Sequence, residues 1–229
     1  MFINQKIERK VMSKSKRHTV KGHANTIQKT FPRTSGAIEE LFPIPVYVTQ
    51  VDKFDDIQKE ITTVIESINF EMDPDLGQPC YLSDPTFKDS LFDNHNFPIF
   101  KKEIDRNLKI YAEHLNFEVK EYIFRGSWMA LFEKNNYIHI HNHGYSDISG
   151  VYYYSRSVED GNIFFESPVD AASSSLPYFG GTITVPGTTG TLLLFPGWLR
   201  HGIRPNMTDT PRVSLSFDIV FDRFAYSER

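Results

Sequence analysis

The chain has 229 residues and a 40% hydrophobic fraction, enough for one globular domain with a sizeable core. Its apolar runs, such as Leu192 to Pro196, are far shorter than the roughly 20 residues that cross a bilayer, which excludes a membrane-spanning helix. The single cysteine, Cys80, excludes an internal disulfide. We expect a soluble protein of the reducing cytoplasm, with Cys80 as an inert, half-buried thiol.

The net charge of −4 hides an asymmetry along the chain. Residues 1–35 carry nine Lys or Arg and one acid, whereas the rest has 16 basic and 28 acidic residues, a net charge of −12. We interpret residues 1–36 as a basic, disordered tail before one domain at 37–229, with a transit segment or a nucleic-acid tether as alternatives. The acidic body predicts no nucleic-acid binding by the core, which leaves only weak contact by the tail.

Two amphipathic helices are predicted in the first half of the domain, after an extended, Pro-containing segment at 37–48 that suits an edge strand. The first helix has Asp52 as its N-cap and an apolar stripe from Phe54 to Ile68. The second begins at Pro98, and its stripe extends to Leu115. Between them, residues 71–96 are predicted to form an irregular connection of the kind that often becomes a lid or substrate loop.

From residue 120 onward the sequence consists of short β-like runs separated by Gly, Pro, Asn and Ser. We predict strands at Tyr122 to Glu133, Tyr137 to His141, Ile148 to Ser155, Asn162 to Glu166, Thr182 to Val185, Thr191 to Phe195 and Arg212 to Phe221. Consecutive strands without an intervening helix indicate a mainly β fold, a jelly roll or double-stranded β-helix with its core at about 120–221. The two N-terminal helices would buttress one outer face.

Three of the eight histidines, His139, His141 and His143, fall within five residues. Side chains of a strand alternate between its faces, so these imidazoles would project to one side, where a metal could contact two at once. Imidazole nitrogens are good ligands for Fe, Zn, Cu and Ni. A single histidine would indicate a structural role, but this cluster predicts a metal site.

A further candidate ligand, His201, follows an apolar strand and a Pro196-Gly197 turn. A histidine at the end of a buried strand has a rigid backbone and can point across the mouth of a barrel, as a metal ligand must. The alternative is a histidine in a surface turn.

Arg212 and Ser214 lie eleven and thirteen residues after His201, on a strand that alternates polar and apolar residues. Both side chains would therefore point toward the side on which the metal is predicted. A buried Arg requires an anion, and its planar fork suits a carboxylate, to which a neighbouring hydroxyl can add a hydrogen bond. The alternative is an Arg paired with an acid on the sheet surface.

The order of these motifs resembles that of the 2-oxoglutarate- and Fe(II)-dependent oxygenases. It is most similar to a branch, frequent in phage and marine bacterial genomes, that shares His-x-His followed by Ser-Gly-Val-Tyr-Tyr. Here these are His141-Asn-His143 and Ser149-Gly-Val-Tyr-Tyr153, and the resemblance covers about residues 125–221. In a phage-encoded protein the predicted compartment would be the host cytoplasm.

The resemblance implies that His141 is the proximal iron ligand and His201 the distal one. It further implies that Arg212 and Ser214 anchor the distal carboxylate of the cosubstrate 2-oxoglutarate. An Fe(II)- and 2-oxoglutarate-dependent dioxygenase follows, which hydroxylates a C–H bond of a peptidyl side chain or small metabolite and releases succinate and CO2.

The sequence departs from this family at the third ligand, because His143 stands where the family has Asp or Glu. Three resolutions are open. His143 ligates, giving a three-imidazole site, or Asp147 curls back as the carboxylate ligand, or two histidines suffice with water, leaving room for halide. We favour His143.

Two other classes of function compete with an oxygenase. One is a cupin-like metal protein, such as an isomerase or ligand-binding module, and the other is a structural protein in which the histidines are relics. Arg212 with Ser214 favours the oxygenase, because a cupin needs no carboxylate anchor. We expect the loops at 71–96 and 167–181 to select the substrate. Candidate pocket aromatics, of which the last is the strongest, are Trp128, Tyr152, Tyr153 and Trp198.

Overall fold

The computed structural model of the protein describes residues 43–72, 79–84, 90–157, 159–169 and 181–222. The basic tail predicted at 1–36 and most of the substrate loop predicted at 167–181 lie outside these residues. No helix in the described part of the chain has both the length and the apolar composition needed to cross a membrane.

The described residues form strands and helices in the following order along the chain. They are β1 (Tyr47–Gln50), α1 (Phe54–Ile65), β2 (Glu71–Met72), β3 (Tyr81–Leu82), α2 (Leu91–Asn94), α3 (Pro98–His114), β4 (Tyr122–Phe132), β5 (Ile138–His141), β6 (Ile148–Ser155), β7 (Ile163–Glu166), β8 (Thr182–Val185), β9 (Thr191–Pro196), β10 (His201–Ile203) and β11 (Arg212–Phe221).

These strands build two antiparallel sheets, in the orders β1-β9-β6-β11-β4-β3-β2 and β5-β10-β7-β8. The predicted mainly β fold with two longer N-terminal helices is therefore confirmed. Of the segment predicted to be extended at 37–48, the described part leads into β1, an edge strand that pairs with β9.

Strand β9 shows how one apolar run serves two cores. Leu192 and Leu194 face the helices and join a cluster with Ile57 of α1 and Phe100 of α3. Leu193, like Phe195, points the other way, into a second cluster shared by strands of both sheets. Because β-strand side chains alternate with period two, a strand buried on both faces is apolar throughout. The helices thus cover one face of the larger sheet, and the opposite face is left to build the site.

The first helix begins differently from the prediction. Its N-cap position is Lys53 rather than Asp52, and no side chain caps it. Asp52 instead pairs with Arg106 of α3 at 2.9 Å, and its backbone N–H donates to Glu103. Aspartate is favoured as an N-cap residue, but Asp52 instead links the start of α1 to α3. The second helix begins at Pro98 as predicted.

The connection at 71–96 is not wholly irregular, which corrects the prediction. It contributes β2 and β3 to the larger sheet and the short helix α2, whose Leu91 and Phe92 are buried. The Ser127 side chain accepts a hydrogen bond from the N–H of Phe92 at 2.7 Å. Two-residue strands and a single helical turn are too short for a periodic pattern to reveal.

Candidate metal centre

The site begins with the pairing of two short strands. β10, which was missing from the predicted strands, lies between β5 and β7, and His201 is directly opposite His141 in the β5–β10 pair. Their ring centroids are 4.4 Å apart. On the other side of β10, Gly202 leaves room for the Phe164 ring of β7, because an added Cβ would lie 2.7 Å from that ring. Antiparallel pairing therefore joins two histidines that are 60 residues apart in sequence.

His143 lies just beyond the end of β5, and the Pro196-Gly197 turn holds it in place. Its backbone N–H donates to the Gly197 carbonyl at 2.8 Å. A Cβ on Gly197 would lie 2.2 Å from the carbonyl oxygen of Ser146, so only glycine fits this approach. The His143 ring is nearly parallel to that of His201, at 5.2 Å between centroids. The turn before the distal histidine thus positions the third imidazole as well.

Hydrogen bonds fix the orientation of all three rings. Nδ1 of His141 lies 2.8 Å from the His139 carbonyl, and Nδ1 of His201 lies 2.9 Å from the Leu199 carbonyl. Nδ1 of His143 lies 3.0 Å from Oδ2 of Asp218. Each acceptor requires a proton on Nδ1, which leaves the Nε2 lone pair free for a metal. The ligand atoms offered by the three residues all lie within 4.8 Å of one another.

The electrostatics of the cluster also suit a metal. Burial, together with the neighbouring His141, lowers the pKa of His201 from 6.5 to about 3. Burial likewise lowers the pKa of His141. Both rings are therefore neutral near pH 7, the form in which imidazole binds a metal.

The other two candidates from the sequence lie apart from these donors. His139 is exposed, and its ring meets the edge of Tyr137. Oδ2 of Asp147 accepts a hydrogen bond from the N–H of Phe221 at 2.9 Å. Within the described residues, the group able to hold a metal contains His141, His143 and His201 and not Asp147.

A carboxylate that the sequence analysis did not assign lies directly behind His143. Asp218 of β11 is 9% exposed, and its second oxygen accepts a hydrogen bond from Ser149 at 2.6 Å. The ring of Trp128 stacks on the His143 imidazole, with the ring centroids 5.6 Å apart and the planes at 18°. The sequence could have indicated this position of Asp218. It lies six residues after Arg212 on the same strand, and residues an even number apart in a strand share a face.

Arg212 is 1% exposed and only partly hydrogen-bonded. Its Nη1 donates to the carbonyls of Asp160 and Gly161, at 3.2 and 2.6 Å, and its guanidinium lies 3.8 Å above the Phe132 ring. Nε and Nη2 have no partner among the described residues. Burial lowers the pKa of Arg212 to about 10, so the group stays charged near pH 7. A buried cation with two unpaired donors suits an anion.

A second buried guanidinium lies beside it. Arg156 also donates to the Gly161 carbonyl, at 3.0 Å, and its Nε is 3.2 Å from Asp160. Burial raises the pKa of Asp160. The hydroxyl of Tyr153 has no hydrogen-bond partner in the described part of the chain, and Arg156 lies over its ring. Two arginines and one acid give this buried cluster a net positive charge.

The remaining predicted residues are distributed over both cores. Ser214 is buried, two residues from Arg212, and pairs across the sheet with Tyr153. Tyr152 belongs to the core under the helices, whereas Trp198 is 50% exposed. Cys80 is fully buried rather than half-buried, and burial raises its pKa to about 11, as expected of an inert thiol.

Comparison with known proteins agrees with this geometry. Residues 126–218 match the family model described as "Putative 2OG-Fe(II) oxygenase". This part of the chain is therefore similar to that family. The segment from β4 to β11, which contains all three histidines and Arg212, coincides closely with the matched residues. No curated protein matches the sequence.

Solved structures share the fold of this chain at low sequence identity. The epimerase SnoN of nogalamycin biosynthesis aligns with a TM-score of 0.59 and 12% identity over 78% of each chain. HygX from Streptomyces hygroscopicus, solved with nickel, 2-oxoglutarate and hygromycin B, aligns with a TM-score of 0.53 and 14% identity over 77% of this chain and 82% of its own. A Pseudomonas putida prolyl-4-hydroxylase aligns with a TM-score of 0.53 and 13% identity over 78% of this chain and 94% of its own. These neighbours confirm the jelly-roll fold.

Proposed function

We propose that the protein is an Fe(II)- and 2-oxoglutarate-dependent dioxygenase whose metal is held by Nε2 of His141, His143 and His201. Arg212 and Ser214 anchor the distal carboxylate of 2-oxoglutarate. The observation that carries the proposal is the coexistence of three convergent imidazoles with a buried arginine whose Nε and Nη2 lack partners.

The histidine cluster fits iron by the chemistry of its donors. Three neutral nitrogen ligands from one side of a site suit Fe(II) and leave positions open for cosubstrate and oxygen. Three histidines bring no negative charge into direct contact with the metal, so a dianion such as 2-oxoglutarate is repelled less there than at a site with a carboxylate ligand. The nickel bound in HygX and the Fe3+ bound in a SnoN complex support a metal-dependent function for this fold.

The unpaired donors of Arg212 fit a carboxylate. Nε and Nη2 of Arg212 can donate side by side to two oxygens, the bidentate geometry in which guanidinium binds carboxylates. The ring of Phe132 beneath Arg212 belongs to the same inter-sheet cluster as Phe165 and Phe195, which pack against His201. Arg212 and His201 therefore lie against one apolar cluster between the sheets.

When bound, Fe(II) and 2-oxoglutarate supply oxidative decarboxylation, which consumes O2 and yields succinate, CO2 and an oxidised substrate. The chain itself orients these groups. Nδ1 hydrogen bonds hold the imidazoles in one tautomer, the arginine fixes the far end of the cosubstrate, and the apolar walls exclude water. We favour hydroxylation of a peptidyl side chain or a small metabolite. The folds shared with a prolyl-4-hydroxylase and with HygX support the two substrate classes respectively.

A cupin-like isomerase or ligand-binding module is less well supported. Such a protein would use the histidines but would have no need of a buried, half-satisfied arginine. A structural protein would need neither.

The test is turnover of the cosubstrate. Protein purified anaerobically and loaded with Fe(II) should convert 2-oxoglutarate to succinate when O2 is admitted, and candidate peptides or metabolites should accelerate this conversion. Failure to bind 2-oxoglutarate even at millimolar concentration would overturn the proposal. Iron binding without 2-oxoglutarate binding would favour the cupin-like alternative.

A further inference from the structure

Asp218 and His143 form a buried carboxylate–imidazole pair behind the metal centre. Oδ2 of Asp218 accepts from Nδ1 of His143 at 3.0 Å, and the two side chains are 13% and 15% exposed. Oδ1 accepts from the Ser149 hydroxyl at 2.6 Å. Both oxygens of this carboxylate are thus engaged, one of them by a candidate metal ligand.

The surrounding strands fix this arrangement. Asp218 is opposite Ser149 in the pairing of β6 with β11 and opposite Gly126 in the pairing of β4 with β11. The next residue back, Phe217, packs its ring over Gly150, where a Cβ would lie 2.2 Å from the ring. This packing turns Phe217 toward the helices and Asp218 toward the site. The Ser149-Gly150 motif therefore has a structural meaning: serine binds the carboxylate and glycine accepts the ring.

The position of this pair bears on the missing acidic ligand. His143 stands where a carboxylate would bring one negative charge into contact with the metal. Asp218 places that charge one side chain further from the metal position, where it is hydrogen-bonded to Nδ1 of the His143 imidazole. A carboxylate on the distal N–H of a ligating histidine fixes its tautomer and raises its basicity.

We propose that Asp218 is a positioning residue that acts through His143, replacing from behind the imidazole the negative charge of an absent carboxylate ligand. This inference rests on the proposed function, since it assigns Asp218 a role toward the metal held by His143. A purely structural role for Asp218, in joining β6 to β11 through Ser149, is the alternative.

A double-mutant cycle separates the two roles. Co(II) binding is measured by visible absorption in the full chain and in Asp218→Asn, each with His143 or with His143→Asp. Asn keeps the size of the side chain and removes its charge. With His143 present, we expect D218N to weaken Co(II) binding by about 10- to 100-fold and to shift the Co(II) spectrum. With H143D, the charge is restored at the metal and two carboxylates face each other, so D218N should have no effect or should strengthen binding.

The outcomes are distinct. An equal loss of affinity in both backgrounds, or no loss with His143, overturns the role of Asp218. Absence of Co(II) and Fe(II) binding by the unmodified chain overturns the proposed function itself. Asp209→Asn is the matched control, because Asp209 is exposed and pairs with Lys134 on the surface; it should leave affinity and spectrum unchanged.

A second measurement requires no change at Asp218. Ring 15N–1H correlation spectra of the unmodified chain, with His143 signals assigned by their loss in His143→Asn, report which nitrogen carries the proton. A proton on Nδ1 supports the proposal. A proton on Nε2 overturns it, because Nδ1 would then not donate to Asp218.

Discussion

His141 and His201 face each other across the antiparallel pair of β5 and β10, with their ring centroids 4.4 Å apart. Strand pairing fixes this relationship, so the two imidazoles are in place before any metal arrives. A metal ligand set that is built on paired strands is more rigid than one built on loops.

The third ligand is tested by comparing two substitutions. His143→Ala removes a donor from the cluster, whereas Asp147→Ala removes a carboxylate that accepts the backbone N–H of Phe221. We expect H143A to release Fe(II) and D147A to retain it with some loss of stability. Iron content after gel filtration measures the difference. Release by D147A alone would show that the carboxylate is the ligand.

The cosubstrate anchor is tested at Arg212. Arg212→Lys keeps the charge but loses the planar fork, so 2-oxoglutarate binding should weaken by about 10- to 100-fold, corresponding to roughly 1.5–3 kcal/mol. Metal affinity should be unchanged, which calorimetry on the metal-loaded protein can establish. Arg200→Lys is the control, because Arg200 pairs with Glu166 at the surface. Equal 2-oxoglutarate affinity in R212K and the unmodified chain would rule out Arg212 as the anchor.

The buried, neutral His201 predicts a pH dependence of stability in the metal-free protein. Its pKa is about 3 when folded, against 6.5 for an ordinary histidine, so the unfolded chain takes up the proton first. The stabilisation is complete above the unfolded pKa and is lost progressively as the pH falls toward the folded value. Denaturant titrations should therefore show a shallower decline of unfolding free energy for His201→Gln. A decline as steep as that of the control His114→Gln, at an exposed position, would contradict this.

The turn that holds His143 is tested at Gly197. Gly197→Ala would place a Cβ 2.2 Å from the Ser146 carbonyl oxygen and 3.0 Å from that of His143. Because backbone must move, we expect a loss of about 1–3 kcal/mol in unfolding free energy and weaker metal binding. Gly126→Ala is the control, since nothing lies closer than 4.0 Å to its added Cβ. Unaltered metal affinity in G197A would show that the turn does not position His143.

Much of the site was predictable because its signals are local. The spacing of His141 and His143, the strand that leads to His201, and the alternation that places Arg212 and Ser214 on one face are each contained in a few residues. The same applies to the two longer helices and most of the strands.

The rest depends on contacts between distant parts of the chain. Strand β10 is three residues long, and only its pairing with β5 and β7 makes it a strand. The partner of Asp218 lies 75 residues away, so no window of sequence contains both. The shared Gly161 carbonyl that joins Arg156 to Arg212 likewise arises from tertiary packing. Secondary-structure propensity cannot predict such contacts, because they form only when distant parts of the chain pack together.

The most direct test of the central claim is an anaerobic titration of 2-oxoglutarate into the Fe(II)-loaded chain, followed by calorimetry and by visible charge-transfer absorption. We expect one 2-oxoglutarate per chain, with the absorption appearing only when metal is bound and disappearing in H143A. Absence of binding at millimolar concentration, or equal binding by the metal-free protein, would contradict the proposed function.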